Sequence, residues 1–102
     1  MNAISGYLNG ETEYEAVAAS ATAQALGATG AINDFLSHLV IVPTSAAPGT
    51  VALIDGATTV ITITPPASSQ PFTVPISAAS KEGAWKITTG ANVTVLGVGD
   101  FT

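Results

Sequence analysis

The last twenty residues of the chain, Gly83–Thr102, alternate between apolar and polar side chains with the period of a β-strand. Trp85 and Ile87 lie two residues apart with polar residues between and after them, which is the pattern of a half-buried strand. After Gly90 the alternation resumes over Val93–Leu96, a run rich in β-branched residues. This pair of strands contains the single Trp of the chain and predicts the core of an all-β domain.

Similar signals recur along the rest of the chain. Asp55 and Gly56 separate two β-branched runs and predict a tight hairpin. Phe72–Ile76 alternates again, and Pro75 within it indicates an edge strand or a bulge. We count seven to eight short strands at eight-to-twelve-residue spacing, which is typical of an antiparallel β-sandwich, jelly-roll-like in type.

The predicted core consists of the apolar residues that alternate toward one side of these strands. They are Phe35, Leu39, Ile41, Leu53, Ile61, Ile63, Phe72, Val74, Ile76, Trp85, Ile87, Val93 and Val95.

The N-terminal third is less clearly patterned. Tyr14–Leu26 is rich in Ala, which favours a helix, but its second half alternates with period two, which favours a strand. We predict a strand here. We expect residues 16–102 to form one sandwich domain and residues 1–15 to form an extended arm.

The arm has an acidic pattern. Glu11, Glu13 and Glu15 recur at every second residue and would share one face of an extended chain. This spacing suits a Ca²⁺ site, a contact with a basic partner, or a solvated acidic edge that discourages strand addition, and the last of these is the commonest arrangement. Tyr7 and Tyr14 bracket the patch, so we list these five residues as candidate arm contacts.

The most hydrophobic segment predicts a strand that is covered on both sides. Within Ala31–Pro43, apolar residues fall on both faces, whereas a small sandwich buries only one face of each sheet. The second face therefore needs the N-terminal segment or a neighbouring subunit as cover, and the alternating row near the chain end shares this character. The predicted interface with a neighbouring subunit or another protein surface consists of Leu36, His38, Val40, Val42, Leu96 and Val98.

Charge excludes several classes of partner. The chain has two Lys, no Arg and a net charge of −5, so it lacks the cations that neutralise nucleic-acid phosphates or attract an anionic membrane. Charged residues make up only 9%, against roughly 25% in typical domains. A surface so poor in charge suits a protein that packs against neighbours. The composition equally suits a Thr- and Ser-rich extracellular β-domain.

The sequence contains few residues of the types that catalyse reactions or bind metals. There is no Cys, so disulfides and thiolate metal sites are excluded. His38 has no second His beside it, and the pattern favours a packed or interface residue over a ligand. Asp34, Asp55 and Asp100 lie at turn positions where Asp has structural duties. We therefore expect no enzyme activity, no cofactor, no metal and no small-molecule substrate.

Three segments of the sequence resemble a group of small virion proteins of tailed bacteriophages. The first runs through Gly30–Leu36 into Leu39–Pro43, the second is Pro48–Gly56, and the third is Gly83–Val93. The resemblance extends over about residues 20–102. Related β-domains serve as capsid cement, head fibres and tail-fibre modules, and no site residue can be transferred from them.

The resemblance implies a capsid decoration (cement) protein on the outer surface of the phage head. Its partners would be the major capsid protein and further copies of itself, with a trimer favoured. Such a protein would be made in the host cytoplasm, in line with the absence of a signal-peptide pattern at the N-terminus. The alternatives are a neck, tail or fibre component, or a carbohydrate-binding module that attaches to a host surface.

Overall fold

The computed structural model describes residues 13–102, and this part of the chain is built from eight β-strands without a helix. In chain order they are β1 (Glu13–Val17), β2 (Gln24–Ala25), β3 (Phe35–Pro43), β4 (Val51–Asp55), β5 (Thr58–Ile63), β6 (Phe72–Ala79), β7 (Trp85–Thr89) and β8 (Val93–Asp100). The first sheet has the order β1-β8-β3-β6 and the second sheet the order β2-β7-β4-β5. All pairs are antiparallel. Apart from the β4–β5 hairpin, successive strands alternate between the two sheets in the manner of a jelly roll, so the predicted fold class is confirmed.

The core lies between the two sheets. Its buried apolar residues are Val17, Leu26, Leu36, Leu39, Ile41, Val51, Leu53, Trp85, Ile87, Val93, Val95 and Phe101. Seven of the predicted core residues are among them, and Ile63, Phe72, Val74 and Ile76 pack against the cluster while remaining partly exposed. Trp85 also donates its indole N–H to the Asp34 carbonyl at 2.9 Å, so its polar atom is satisfied inside the core.

A bulge in β3 reverses the prediction for its first two residues. The register of β3 against β8 shifts between Leu36 and His38, which inserts Ser37 as an extra residue and flips the alternation before it. Leu36 is therefore fully buried in the core, at 0% exposure, and its assignment to the interface was wrong. Phe35 is only partly buried and lies outside the core cluster, so its assignment to the core was wrong as well.

The chain crosses from one sheet to the other between β1 and β2. Residues 18–23 form no strand, and Ser20 and Ala23 have positive φ angles of 60° and 47°. These left-handed residues interrupt the extended backbone that the period-two pattern of Ser20–Leu26 predicts. Thr89 stabilises the crossing, since its hydroxyl donates to the Ala18 carbonyl at 2.6 Å and accepts from the Ala21 N–H at 2.9 Å.

The predicted hairpin connects β4 and β5. Asp55 pairs with Thr58 across the two-residue turn, and Gly56 has the positive φ of 63° that a tight turn requires at its first central position. Because β5 is the outermost strand of its sheet, Ile61 is covered on one side only and is 38% exposed. The assignment of Ile61 to the core was therefore wrong.

The N-terminal boundary also differs from the prediction. Glu13–Glu15 belong to β1 and pair with Gly97–Gly99 of β8, so these three residues are part of the sandwich rather than of an arm. Pairing with β8 decides this, because it continues the register that Ala16 and Val17 make with Leu96 and Val95. Two of the candidate arm contacts, Tyr7 and Glu11, lie outside the described residues.

Candidate functional surface

The outer face of the first sheet carries apolar side chains across its strands. Its apolar members, which alternate with the core residues of the same strands, are Tyr14, Ala16, Phe35, Val40, Val42, Pro75, Ala79, Leu96 and Val98, and its polar members include His38, Thr73, Thr94 and Asp100. None of them belongs to the core cluster. A sheet that faces water on one side ordinarily alternates with polar residues there, so this face differs from that of an ordinary solvated sheet.

Register brings these residues into rows that run across all four strands. In one row Ala16, Leu96, Val40 and Thr73 lie side by side, and in the next Tyr14, Val98, His38 and Pro75 do so. Cross-strand neighbours on one face lie about 4.5–5.5 Å apart, so each row is continuous. Five of the six residues predicted as an interface are thereby brought together, and Leu36 is the exception.

Val40 occupies the middle of this outer face. It lies in β3, an inner strand of the sheet, between Leu96 of β8 and Thr73 of β6. It is partly exposed in the chain on its own. A charge introduced here would have apolar neighbours on the β8 side and would be desolvated by any partner that covers the face.

His38 is part of the same face and makes a local hydrogen bond. Its Nδ1 lies 3.0 Å from the Ser37 hydroxyl, on the bulge, and its lateral neighbours are Val98 and Pro75. Among residues 13–102, no cluster of three or more His, Asp or Glu side chains could hold a metal ion. Its position is that of a polar residue within an apolar face.

Tyr14 marks the β1 end of the face and is the most exposed large apolar side chain described, at 69%. It lies beside Val98 in the register of β1 and β8. The neighbouring carboxylates do not share its direction. The Glu13 carboxylate accepts from the Phe101 N–H at 3.1 Å, and the Glu15 carboxylate accepts from the Gly27 N–H at 2.8 Å.

Glu13 and Glu15 therefore stabilise the fold through these hydrogen bonds. Glu15 also accepts from the Gln24 side-chain amide at 3.1 Å, which joins β1 to β2 across the opening between the sheets. The period-two spacing does put Glu13 and Glu15 on one face, but that face points toward the other sheet. Their prediction as arm contacts was wrong for this reason, whereas Glu11 lies outside the described residues.

The carboxylates of the buried residues Asp34 and Asp55 likewise accept hydrogen bonds from the backbone. Asp34 accepts from the N–H groups of Ala31 and Thr102, both at 3.0 Å, and from the Thr102 hydroxyl at 2.6 Å. Asp55 accepts from the N–H groups of Lys81 and Glu82 at 2.9 and 3.0 Å. Sequence reasoning predicted turn duties for both. It could not predict the partners Thr102, Lys81 and Glu82, because these come from distant parts of the chain.

Neither an enclosed site nor a membrane-spanning helix is found in the described part of the chain. No cleft or cavity is found within residues 13–102. That same range contains no helix of the length and apolarity needed to cross a bilayer. The candidate functional region is therefore a surface rather than a pocket.

Comparisons with known proteins leave the resemblance to phage virion proteins without further support. No family model, no curated protein and no solved structure matches the chain.

One feature of the surface was missed at the level of sequence. The strand β5 forms an open edge of the second sheet, with the pattern Thr-Thr-Val-Ile-Thr-Ile and only its last residue less than exposed. Two signals could have indicated it, namely the absence of charge in this run and the doubled proline that ends it at Pro65 and Pro66.

Proposed function

We propose that this protein is a capsid decoration (cement) protein of a tailed bacteriophage, which binds the outer surface of the assembled head and stabilises it by protein–protein contacts. The observation that carries the proposal is the apolar outer face of the first sheet. Such a face is best explained by a partner surface, because exposed apolar patches of this kind mark protein–protein contacts.

Three further features support the proposal. The segments that resemble phage virion proteins include β3, β4 and β7, which are three of the four inner strands of the two sheets. The jelly roll is a fold of viral capsid proteins, although it also serves lectins and cupins, and fold alone does not decide function. The low charge of the chain suits a protein held among neighbours.

We assign the outer face to contacts between copies of the chain, with a trimer favoured, and the major capsid protein as the further partner. A trimer would place three identical surfaces around one axis, where several weak contacts to a shell act together. Linked contacts of this kind raise the overall affinity without requiring a strong single contact.

The test is the oligomeric mass of Val40→Asp by light scattering. We expect the wild-type oligomer to dissociate at this face, because the substitution buries an unpaired carboxylate in any interface that covers Val40. Ile54→Asp is the matched control, since Ile54 lies on the outer side of β4, an inner strand of the second sheet, beside Lys86 and Thr59. This control should keep the wild-type mass.

An unchanged mass and unchanged stability of Val40→Asp would refute the interface. The role on the head has its own measurement, which is the copy number of the chain in purified particles relative to the shell protein. Cement is present in many copies per particle, whereas a neck or tail component is present in few.

The alternative is a fibre component or a host-surface carbohydrate-binding module. The exposed ring of Tyr14 favours it, because sugar sites use exposed aromatic side chains with polar neighbours, and His38 lies in the same row. Trp85 is buried at 3% exposure and cannot serve such a site. Glycan-array binding that is lost in Tyr14→Ala, together with a low copy number, would support this alternative over cement.

A further inference from the structure

The edges of the two sheets differ in how they are protected against pairing with another strand. In the first sheet, β1 directs the charged Glu13 and Glu15 inward, and β6 carries Pro75 and a register shift beside it. In the second sheet, β2 has only two residues. Inward charges, proline, irregularity and short length are the devices by which proteins close sheet edges.

The fourth edge, β5, lacks charge and proline. Its six residues are all β-branched, and the first five are exposed. No strand within residues 13–102 pairs with its outer side. One irregularity is present, because the register against β4 shifts at Val60, but Ile61–Ile63 then pair regularly with Val51–Leu53. This stretch is a regularly paired, uncharged template for another strand.

We propose that β5 pairs antiparallel with β5 of a second copy of the chain and joins two second sheets into one eight-stranded sheet. The proposal is independent of the assigned function and of the outer face of the first sheet. A two-fold axis brings the same strand of both copies together, as isologous dimers require. The other three described edges are closed, so β5 is the edge on which two copies can meet.

Side-chain positions favour a register centred on Thr62. Ile61 and Ile63 share the inner side of β5 opposite Leu53 and Val51, so Thr62 lies on the outer side. An axis at Thr62 pairs Ile61 of each copy with Ile63 of the other on the core side, which covers the exposed Ile61. It also brings the two Thr62 side chains together on the outer side.

The absence of charge on β5 allows a second copy to bind at this strand. The chain carries a net charge of −5, and like net charges repel, whereas β5 contains no charged residue. The described acidic side chain that contacts this strand is Glu82, which accepts from the Thr58 hydroxyl at 2.7 Å at the hairpin end. Two copies can therefore approach along Ile61–Ile63 without placing carboxylates together.

Thr62→Lys and Thr62→Glu test the pairing in the full chain. Each variant places two like charges across the axis, which disfavours the pair. We expect each to have half the wild-type mass by light scattering, whatever further association the first sheet contributes. An equal mixture of the two variants should recover the wild-type mass, since Lys then faces Glu. Ala57→Lys, in the exposed turn of the same hairpin, is the matched control and should keep the wild-type mass.

Recovery in the mixture separates the pairing from damage to the fold, because misfolded variants would not complement each other. If the first sheet also forms a trimer, the two contacts together give a mass of six chains, so a wild-type mass with an odd number of chains would overturn the β5 pairing while leaving the trimer. An unchanged mass in both variants, or a mixture that fails to recover, would also overturn the pairing. A second measurement needs no variant. Amide hydrogen exchange within Ile61–Ile63 should slow as wild-type concentration rises, and exchange that is independent of concentration there would also overturn it.

Discussion

The two sheets of this sandwich differ in which surface is open to a partner protein. The first sheet has closed edges and an apolar outer face. The second sheet has an open edge at β5 and an outer face with more polar side chains. The outer rows of the second sheet carry Ala25, Lys86, Ile54 and Thr59, and then Thr88, Ala52 and Thr62. The face of a β-sheet binds a partner through side chains, whereas the edge of a β-sheet binds one through backbone hydrogen bonds. One small domain thus has two separate surfaces on which assembly can be tested.

The largest expected effect concerns the two sides of β3. Leu36→Ala should lower the free energy of unfolding by about 2–5 kcal/mol, because Leu36 is fully buried and its truncation leaves a cavity. Val40→Ala, on the outer side of the same strand, should cost less than about 1 kcal/mol in the separated chain. Chemical denaturation at one fixed, dilute concentration measures both, since association adds to apparent stability.

Equal losses in Leu36→Ala and Val40→Ala would contradict the bulge at Ser37. Without this bulge the two residues would occupy the same side of β3, as the uninterrupted alternation predicts.

A smaller loss of stability is expected when either of the buried residues Asp34 and Asp55 is replaced. Asp34→Ala removes the acceptor of three hydrogen bonds and Asp55→Ala that of two. We expect losses of about 2–3 kcal/mol for Asp34 and somewhat less for Asp55, because buried donors without partners cost about 1–3 kcal/mol. Thermal unfolding ranks the two variants. A greater loss for Asp55 would show that the β4–β5 hairpin anchor matters more than the closure at Thr102.

The smallest effect tests edge protection directly. Pro75→Thr gives β6 a backbone N–H and a good strand former, while the register shift beside it remains. We expect a change of less than about 1 kcal/mol in stability. In a Thr62→Lys background, light scattering should show weak new association through β6. No association at any concentration would show that the bulge alone closes this edge.

Much of the fold could be predicted because strand formation is a local property. The alternation around Trp85 and Ile87 and the proline in β6 are each readable within a few residues and are found where they were predicted. The predicted hairpin is also found, but its two-residue turn begins at Gly56, one residue later than predicted. The candidate face was predicted in part for the same reason. Apolar residues on both sides of β3 are visible in the sequence, and Val40, Val42, Leu96 and Val98 do share the outer face.

The sequence by itself determined that this chain is an all-β sandwich, because its period-two pattern and its turn residues exclude other packing. The tertiary structure alone decided which side of β3 Leu36 faces, since the bulge is defined by the pairing of β3 with β8 and β6. It likewise decided the exposure of Ile61 and the inward direction of Glu13 and Glu15. These depend on which strands become neighbours, and that choice is made between residues far apart in the chain.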